Sequence, residues 1–233
     1  MLKIVSAEFI TGATAGKQFP QTGIPEFAFF GRSNAGKSSL INMLLNRKNL
    51  VKTGSKPGMT REINFFMVNG PARLAASGKG QISGGAAQGS HKAGSAPGEN
   101  APQKAGQRAF CVADLPGYGF AQVSFAERNR IDKMLYDYAT VRQELKTVFL
   151  LMDIRRDPTE AELKTRSFFQ EQGIELVLTA TKADKVSKTE QLRRVTALAS
   201  FFDCPPEAII LTSSAKKIGR EKLLQHISAY LDA

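Results

Sequence analysis

Hydrophobic positions fall into two rhythms along this chain. Short continuous apolar runs occur at residues 26–30 (EFAFF), 63–68 (INFFMV), 109–113 (AFCVA), 147–152 (TVFLLM), 174–180 (IELVLTA) and 208–211. Runs that are apolar throughout, rather than alternating, predict strands covered on both faces. Between them apolar residues recur three and four apart: Leu40, Ile41, Leu44 and Leu45; Ile131, Leu135, Tyr138 and Val141; Leu192, Val195, Leu198 and Phe202; Leu223, Leu224, Ile227 and Leu231. Those spacings predict helices. A further helix is predicted over 158–172, with Pro158 near its first turn and Gly173 just past its end. Residues 46–61 are polar and broken by Gly54, Pro57 and Gly58, so they read as a loop. Strands that alternate with helices imply mostly parallel pairing and right-handed crossovers, hence a three-layer α/β sandwich. Ligands of such sheets bind at the carboxyl ends of the strands.

Composition changes this picture at one place. Of the 37 residues in 71–107, 24 are Gly, Ala, Ser or Pro, and such a stretch cannot offset its ordering entropy. We read it as a flexible surface insertion in a single domain, because the remainder of the 233 residues suffices for one core. No apolar run approaches the roughly 20 residues that span a bilayer. The first ten residues lack the apolar centre of a secretory signal. A cytoplasmic protein is the expectation. Two cysteines, Cys111 and Cys204, make neither a disulfide framework nor a four-ligand zinc site. Cys111 reads as a small buried hydrophobe. His91 lies in the insertion, and His226 reads as a solvated helix residue. The net charge of +11 lies mostly outside the insertion and points to a polyanionic partner, most often nucleic acid.

The chemistry concentrates where runs end. Gly31-Arg32-Ser33-Asn34-Ala35-Gly36-Lys37-Ser38 is a phosphate-binding loop set between a buried strand and an amphipathic helix. Backbone N–H groups must converge on a triphosphate, and side chains at Gly31 and Gly36 would obstruct that turn. The helix it opens favours an anion at its N-terminus. Lys37 reaches the β- and γ-phosphates, and Ser38 offers a hydroxyl to Mg²⁺. Asp114-Leu115-Pro116-Gly117 ends the third strand. Alone it is an ordinary strand-end turn. Downstream of a phosphate loop its carboxylate becomes a Mg²⁺ ligand, direct or through water, and the N–H of Gly117 can approach a γ-phosphate. Thr181-Lys182-Ala183-Asp184 follows the fifth run. The two oxygens of Asp184 can accept from the ring N–H and exocyclic amine of guanine, a pair adenine lacks. Two charged hydrogen bonds give about 10²–10⁴-fold preference. Thr212-Ser213-Ser214 follows the last strand, where small residues let backbone N–H groups reach the base oxygen. Thr60, in the loop before the second strand, is a further Mg²⁺ candidate. Both of these are weak signals taken alone.

The wording of these segments is closer still to one family. GIPEFAFFGRSNAGKSSLIN, KPGMTREINFF, DLPGYGFA, LLMDIRR, TKADK and TSSAKKIG resemble the EngB (YihA/YsxC) bacterial GTPases over nearly the whole chain outside the insertion. The resemblance implies a P-loop GTPase fold, binding of GTP and GDP with Mg²⁺, and hydrolysis of GTP. It implies contacts to the nucleotide from Gly31 to Ser38, from Gly58, Met59, Thr60, Arg61 and Glu62, and from the three later motifs. Lys37, Thr60 and Gly117 would be the catalytic groups, and Ser38, Thr60 and Asp114 the Mg²⁺ ligands. The implied role is assembly of the large ribosomal subunit by a monomer that contacts rRNA and ribosomal proteins, with a link to cell division and septation.

Three features depart from the wider GTPase pattern. The base-reading motif begins with Thr181 instead of Asn. Tyr118 stands where Ras-like proteins orient water with Gln. The insertion separates strands that a short turn would join. Asn34 matches a K⁺-coordinating Asn of related GTPases, which makes K⁺ a candidate activator beside a plain loop-shaping use. Two competing classes remain: a P-loop ATPase or kinase, against which Asp184 argues, and a non-catalytic RNA-binding module, against which Lys37, Ser38, Thr60 and Asp114 argue.

Overall fold

The computed structural model describes residues 2–51, 62–70, 108–119 and 124–232. Among them the strands are β1 (Ala7–Ala13), β2 (Glu26–Gly31), β3 (Ile63–Val68), β4 (Phe110–Asp114), β5 (Leu145–Asp153), β6 (Glu175–Thr181) and β7 (Ile210–Leu211). The helices are α1 (Lys37–Leu44), α2 (Phe125–Val141), α3 (Glu160–Glu171), α4 (Lys188–Phe201) and α5 (Arg220–Asp232). The strands form one sheet in the order β1-β3-β4-β2-β5-β6-β7.

From β4 across to β7 every pairing is parallel. The run of parallel strands stops at β4, because β3 lies antiparallel to it and β1 antiparallel to β3. The parallel pairing expected from alternating strands and helices therefore does not extend to β3 and β1. Residue Val68 ends β3 opposite Phe110, which opens β4, so residues 71–107, outside the described set, join two neighbouring antiparallel strand ends.

Helices cover both faces, which is why the central runs are apolar at every position. In β2, Phe27 and Phe29 face the core shared with Leu40, Ile41 and Leu44 of α1 and Leu223, Leu224 and Ile227 of α5. Ala28 and Phe30 face the opposite core, with Met134 and Tyr138 of α2, Phe169 of α3 and Leu198 of α4. Ser124 and Ser187 cap α2 and α4 by accepting from the N–H three residues on. Thr159 caps α3 with Glu162 reaching back to it.

Several predicted details are corrected. The helix predicted over 158–172 runs from Glu160 to Glu171, with Pro158 one residue before its cap, Thr159. The last strand is two residues long, because residues 206–208 form a 3-10 turn first. Leu192 and Val141 lie on helices as their spacing predicts, and both are exposed. β1 was not expected at all. His226 is not simply solvated: its Nε2 lies 2.9 Å from Glu175 Oε2 and 3.2 Å from Thr147 Oγ1. Cys111 is fully buried, and burial pushes its thiol pKa up.

Candidate nucleotide site

The carboxyl ends of β2, β4, β5, β6 and β7 bring four predicted motifs together. The loop after β2 is held by the segment after β4. Ser33 N–H and Oγ both donate to the Tyr118 carbonyl, at 2.9 and 3.1 Å, and Tyr118 N–H donates back to the Gly31 carbonyl at 3.2 Å. The glycines have distinct reasons. A Cβ on Gly31 would meet the Leu151 carbonyl oxygen of β5 at 2.6 Å. So Gly31 answers to strand packing as well as to phosphate access. Gly36 caps α1 at φ +96°, in the left-handed region that favours glycine. A Cβ on Gly117 would stand 3.0 Å from the Gly31 carbonyl oxygen, so the two loops approach as closely as backbone allows.

Lys37, the first residue of α1, forms an ion pair with Asp114, the last residue of β4. The Asp114 carboxylate is buried, and its second oxygen, Oδ2, has no hydrogen-bond partner. A buried carboxylate oxygen with no partner is costly unless a cation or donor completes it. Among the described residues no three His, Cys, Asp or Glu side chains gather into a metal cluster. Mg²⁺ in phosphate-binding sites is held by one or two carboxylates together with substrate phosphates rather than by an all-protein cage. Ser38 follows Lys37 on the same first turn of α1.

The end of β6 reaches the same loop. Thr181 Oγ1 donates to the Ala35 carbonyl at 2.6 Å and lies 3.1 Å from the Met152 carbonyl. Lys182 Nζ donates to the Asn34 carbonyl at 2.6 Å. Asn34 sits at φ +65°, a conformation Asn tolerates, which favours its loop-shaping use. Asp184 Oδ1 accepts from Ser213 Oγ at 2.6 Å, and Lys185 Nζ lies 3.5 Å from Oδ2. The Ser213 hydroxyl, above all, holds the Asp184 carboxyl below its usual pKa. Ser213 acts here through its side chain, whereas the sequence pointed to backbone N–H groups of Thr212, Ser213 and Ser214. Thr212 is instead tied to β6, its N–H donating to the Ala180 carbonyl at 2.7 Å. Gly58, Met59, Thr60 and Arg61 lie outside the described residues, and Glu62 adjoins β3.

Two acidic residues at this end of the sheet escaped the sequence reading. Glu162 Oε1 accepts from the Tyr118 hydroxyl at 2.6 Å, while its Oε2 accepts from the Thr159 N–H and hydroxyl. Burial, reinforced by Glu162, raises the Tyr118 pKa strongly. The phenol is thus committed to α3. A cavity of about 570 Å³ opens beside Tyr118 between α2 and α3, floored by Phe30, Leu135 and Phe169; Lys37, Ser38 and Asp184 do not line it. The other residue is Asp153, at the end of β5, which pairs with Lys182 and Arg155.

A phosphate loop with its lysine, a buried carboxylate opposite it and a further carboxylate, Asp184, beyond β6, all at the strand ends of this sheet, are the arrangement of a P-loop GTPase. Residues 26–182 match the family model described as 50S ribosome-binding GTPase. A GTP-binding protein EngB of Treponema denticola is 51% identical over 227 residues, spanning 97% of this chain and 99% of the relative. The chain belongs to the EngB family of GTP-binding GTPases. In fold it is similar to a crystal structure of an engB GTP-binding protein (TM-score 0.57, 20% identity, 89% of this chain and 98% of that one). It is likewise similar to Era in complex with MgGDPNP and nucleotides 1506–1542 of 16S ribosomal RNA (TM-score 0.61, 17% identity, 89% of this chain and 56% of that one). Among the described residues no helix is long and apolar enough to cross a membrane.

Proposed function

We propose that this GTPase works as a single G domain and a nucleotide-dependent switch in assembly of the large ribosomal subunit, in the cytoplasm. The observation that carries the ribosomal part is the match of residues 26–182 to a family described as 50S ribosome-binding GTPases. The net charge of +11 supports it, since phosphate contacts dominate affinity for RNA. A role in cell division and septation would follow from this one and has no separate support in the site.

In this reading the loop Gly31–Ser38 holds the phosphates, Lys37 faces the β- and γ-phosphates, and Asp184 reads the base. Ser38 and Asp114 would hold Mg²⁺ with Thr60, and the cation would offset charge on the phosphate oxygens. The unpartnered Oδ2 of Asp114 fits that use. Release of the Thr60 loop and of the segment after Gly117 on hydrolysis would be the switch.

Hydrolysis without a partner should be slow, roughly 10⁻⁴ s⁻¹ as for unassisted Ras-like proteins. The Tyr118 hydroxyl is held by Glu162, so it is not free to orient water. Single-turnover hydrolysis measured in Na⁺ and K⁺ buffers checks this. A rate near 1 s⁻¹ in Na⁺ without a partner refutes it, and a K⁺-specific gain would assign Asn34 its second use.

The particle-facing surface we assign to the basic loop at 47–61, extended by Arg128, Arg130 and Lys133 on α2. Lys52 and Lys56 lie outside the described residues; the three α2 cations are exposed, with Lys133 paired to Asp137. Lys52→Ala with Lys56→Ala should flatten the salt dependence of binding to the large-subunit precursor by about two units of slope. The measurement is a salt series with a non-hydrolysable GTP analogue. If the double variant binds unchanged while deletion of 71–107 abolishes binding, the surface lies in the insertion.

A further inference from the structure

The segment Asp153-Ile154-Arg155-Arg156 at the end of β5 has no part in the reading above, yet it meets both nucleotide loops. Asp153 is buried at the sheet end, with its side chain 3% exposed. Its Oδ2 lies 2.9 Å from Lys182 Nζ. Arg155 grips the same carboxylate in a fork, with Nε 2.9 Å from Oδ1 and Nη2 2.7 Å from Oδ2. The Arg155 N–H is a second donor to Oδ1, at 3.1 Å. Burial alone would raise the Asp153 pKa, but the hydrogen bonds from Arg155 and Lys182 reverse that and hold it well below the usual carboxylate range. The same Lys182 ammonium donates to the Asn34 carbonyl in the phosphate loop. One charge therefore spans β5, β6 and the loop after β2.

We propose that Asp153 is the positioning residue for Lys182, the anchor that holds the base-side lysine across the phosphate loop and so slows release of guanine nucleotides. This rests on reading 181–184 as the base loop. A Lys ammonium is a compact charge on a flexible four-carbon stem. Left with a single carbonyl acceptor it would sample several rotamers, at a cost in side-chain entropy each time the site orders. The Asp153 carboxylate restricts it beforehand, because charge-assisted hydrogen bonds are short and about twice as strong as neutral ones. Its rigidity is supplied in turn by Arg155, whose planar fork fixes a carboxylate better than a point charge does. Lys182 itself sits at φ +60°, and Thr181 ties the preceding residue to the Ala35 and Met152 carbonyls. The backbone is thus fixed independently of Asp153, which leaves the ammonium as the part that Asp153 controls. The bridge holds the face of the base and the phosphate loop. It does not read the base edge, which belongs to Asp184.

The experiment is release of a fluorescent GDP from the full chain, followed by stopped flow. Asp153→Asn should speed release about 10–100-fold, the loss of one charge-assisted hydrogen bond. The preference for guanosine over inosine and adenosine nucleotides should stay unchanged, because the edge-reading carboxylate is untouched. Lys182→Met keeps the stem without the ammonium, and adding Asp153→Asn to it should produce no further acceleration. Arg155→Ala should speed release less than Asp153→Asn does, since the carboxylate loses its fork but still pairs with Lys182. Release unchanged in Asp153→Asn overturns the proposal. So do additive effects in the double variant, or an Arg155→Ala variant that matches Asp153→Asn. If Asp153→Asn does not fold, Asp153→Ser carries the same comparison. Asp184→Asn serves as the control for the base loop: if it leaves guanine preference intact, the site reading fails, whereas a shifted preference with unaltered Asp153→Asn release sinks only the anchor.

Discussion

Asp184→Asn should lower affinity for GTP and GDP by about two orders of magnitude, and xanthosine nucleotides should then bind better than guanosine nucleotides. The carboxylate is prepared for its role before any base arrives. Ser213 Oγ donates to Oδ1 at 2.6 Å, which fixes the plane of the group, and Lys185 stands near Oδ2. Held below its usual pKa by the Ser213 hydroxyl, Asp184 gives a contribution to binding that is complete above the ordinary carboxylate pKa. It is lost only as pH falls through the lowered one, so guanine affinity from this group should be flat from pH 5 to 8. In the asparagine variant Oδ1 still accepts from Ser213, but the other position becomes an NH₂ that donates. It then opposes the exocyclic amine of guanine and suits the carbonyl that xanthine has there. Competition of unlabelled GDP, XDP and ADP against a fluorescent GDP measures the change. Equal affinity for ATP and GTP in the unmutated protein would remove the basis of the argument.

The ligand-binding end of the sheet was legible because its strands are covered on both faces and its loops carry fixed chemistry. Phe27 to Phe30 must be apolar at every position when α1 and α5 cover one face and α2 and α3 the other. The phosphate loop repeats a backbone requirement that few residues satisfy. β1 was not legible for the opposite reason. It is an edge strand whose register shifts between Phe9 and Thr11, so no alternation survives along AEFITGA. Its direction, and that of β3, depends on partners chosen across the sheet, which local rhythm does not record. The contacts of Tyr118 with Glu162 and of Asp153 with Lys182 join residues 44 and 29 positions apart. A glutamate inside a helix and an aspartate at a strand end look like ordinary solvated charges until the fold places them. Leu192 and Val141 keep the helical spacing and lie on helices yet are exposed, because spacing records the helix and not what covers each position.

Glu26→Ala should destabilise the fold by about 3–5 kcal/mol, the cost of breaking one member of a buried ion pair. Glu26 opens β2, at the opposite end of that strand from the phosphate loop. Its side chain is fully buried, and that of Arg142, just after α2, is 2% exposed. Arg142 Nη2 lies 2.6 Å from Oε2 and Nε 3.2 Å from Oε1, while the Tyr138 hydroxyl donates to Oε1 at 2.7 Å. Arg142 Nη1 donates to the Pro20 carbonyl at 2.8 Å, and the guanidinium stands 5.6 Å from the centre of the Phe65 ring. Removing the carboxylate leaves a buried cation with the Pro20 carbonyl, the Phe65 ring and one more distant carboxylate oxygen, Glu144 Oε2 at 3.7 Å from Nη1, and a buried phenol with no acceptor from this residue. Burial is the largest cause that raises the pKa values of Tyr138 and Cys111, and it persists without Glu26, so neither group readily ionises to take the place of the lost charge. At about 2–4 °C per kcal/mol for a chain of this size, the melting point should fall by roughly 6–20 °C. The double variant Glu26→Leu with Arg142→Met separates two explanations. If the pair is retained for geometry rather than for net stability, the double variant should melt near the unmutated protein or above it. Urea unfolding of the three proteins gives the comparison. A loss below about 1 kcal/mol in Glu26→Ala would mean that water or a rearranged Arg142 relieves the charge, and that this end of the sheet opens more readily than its packing implies.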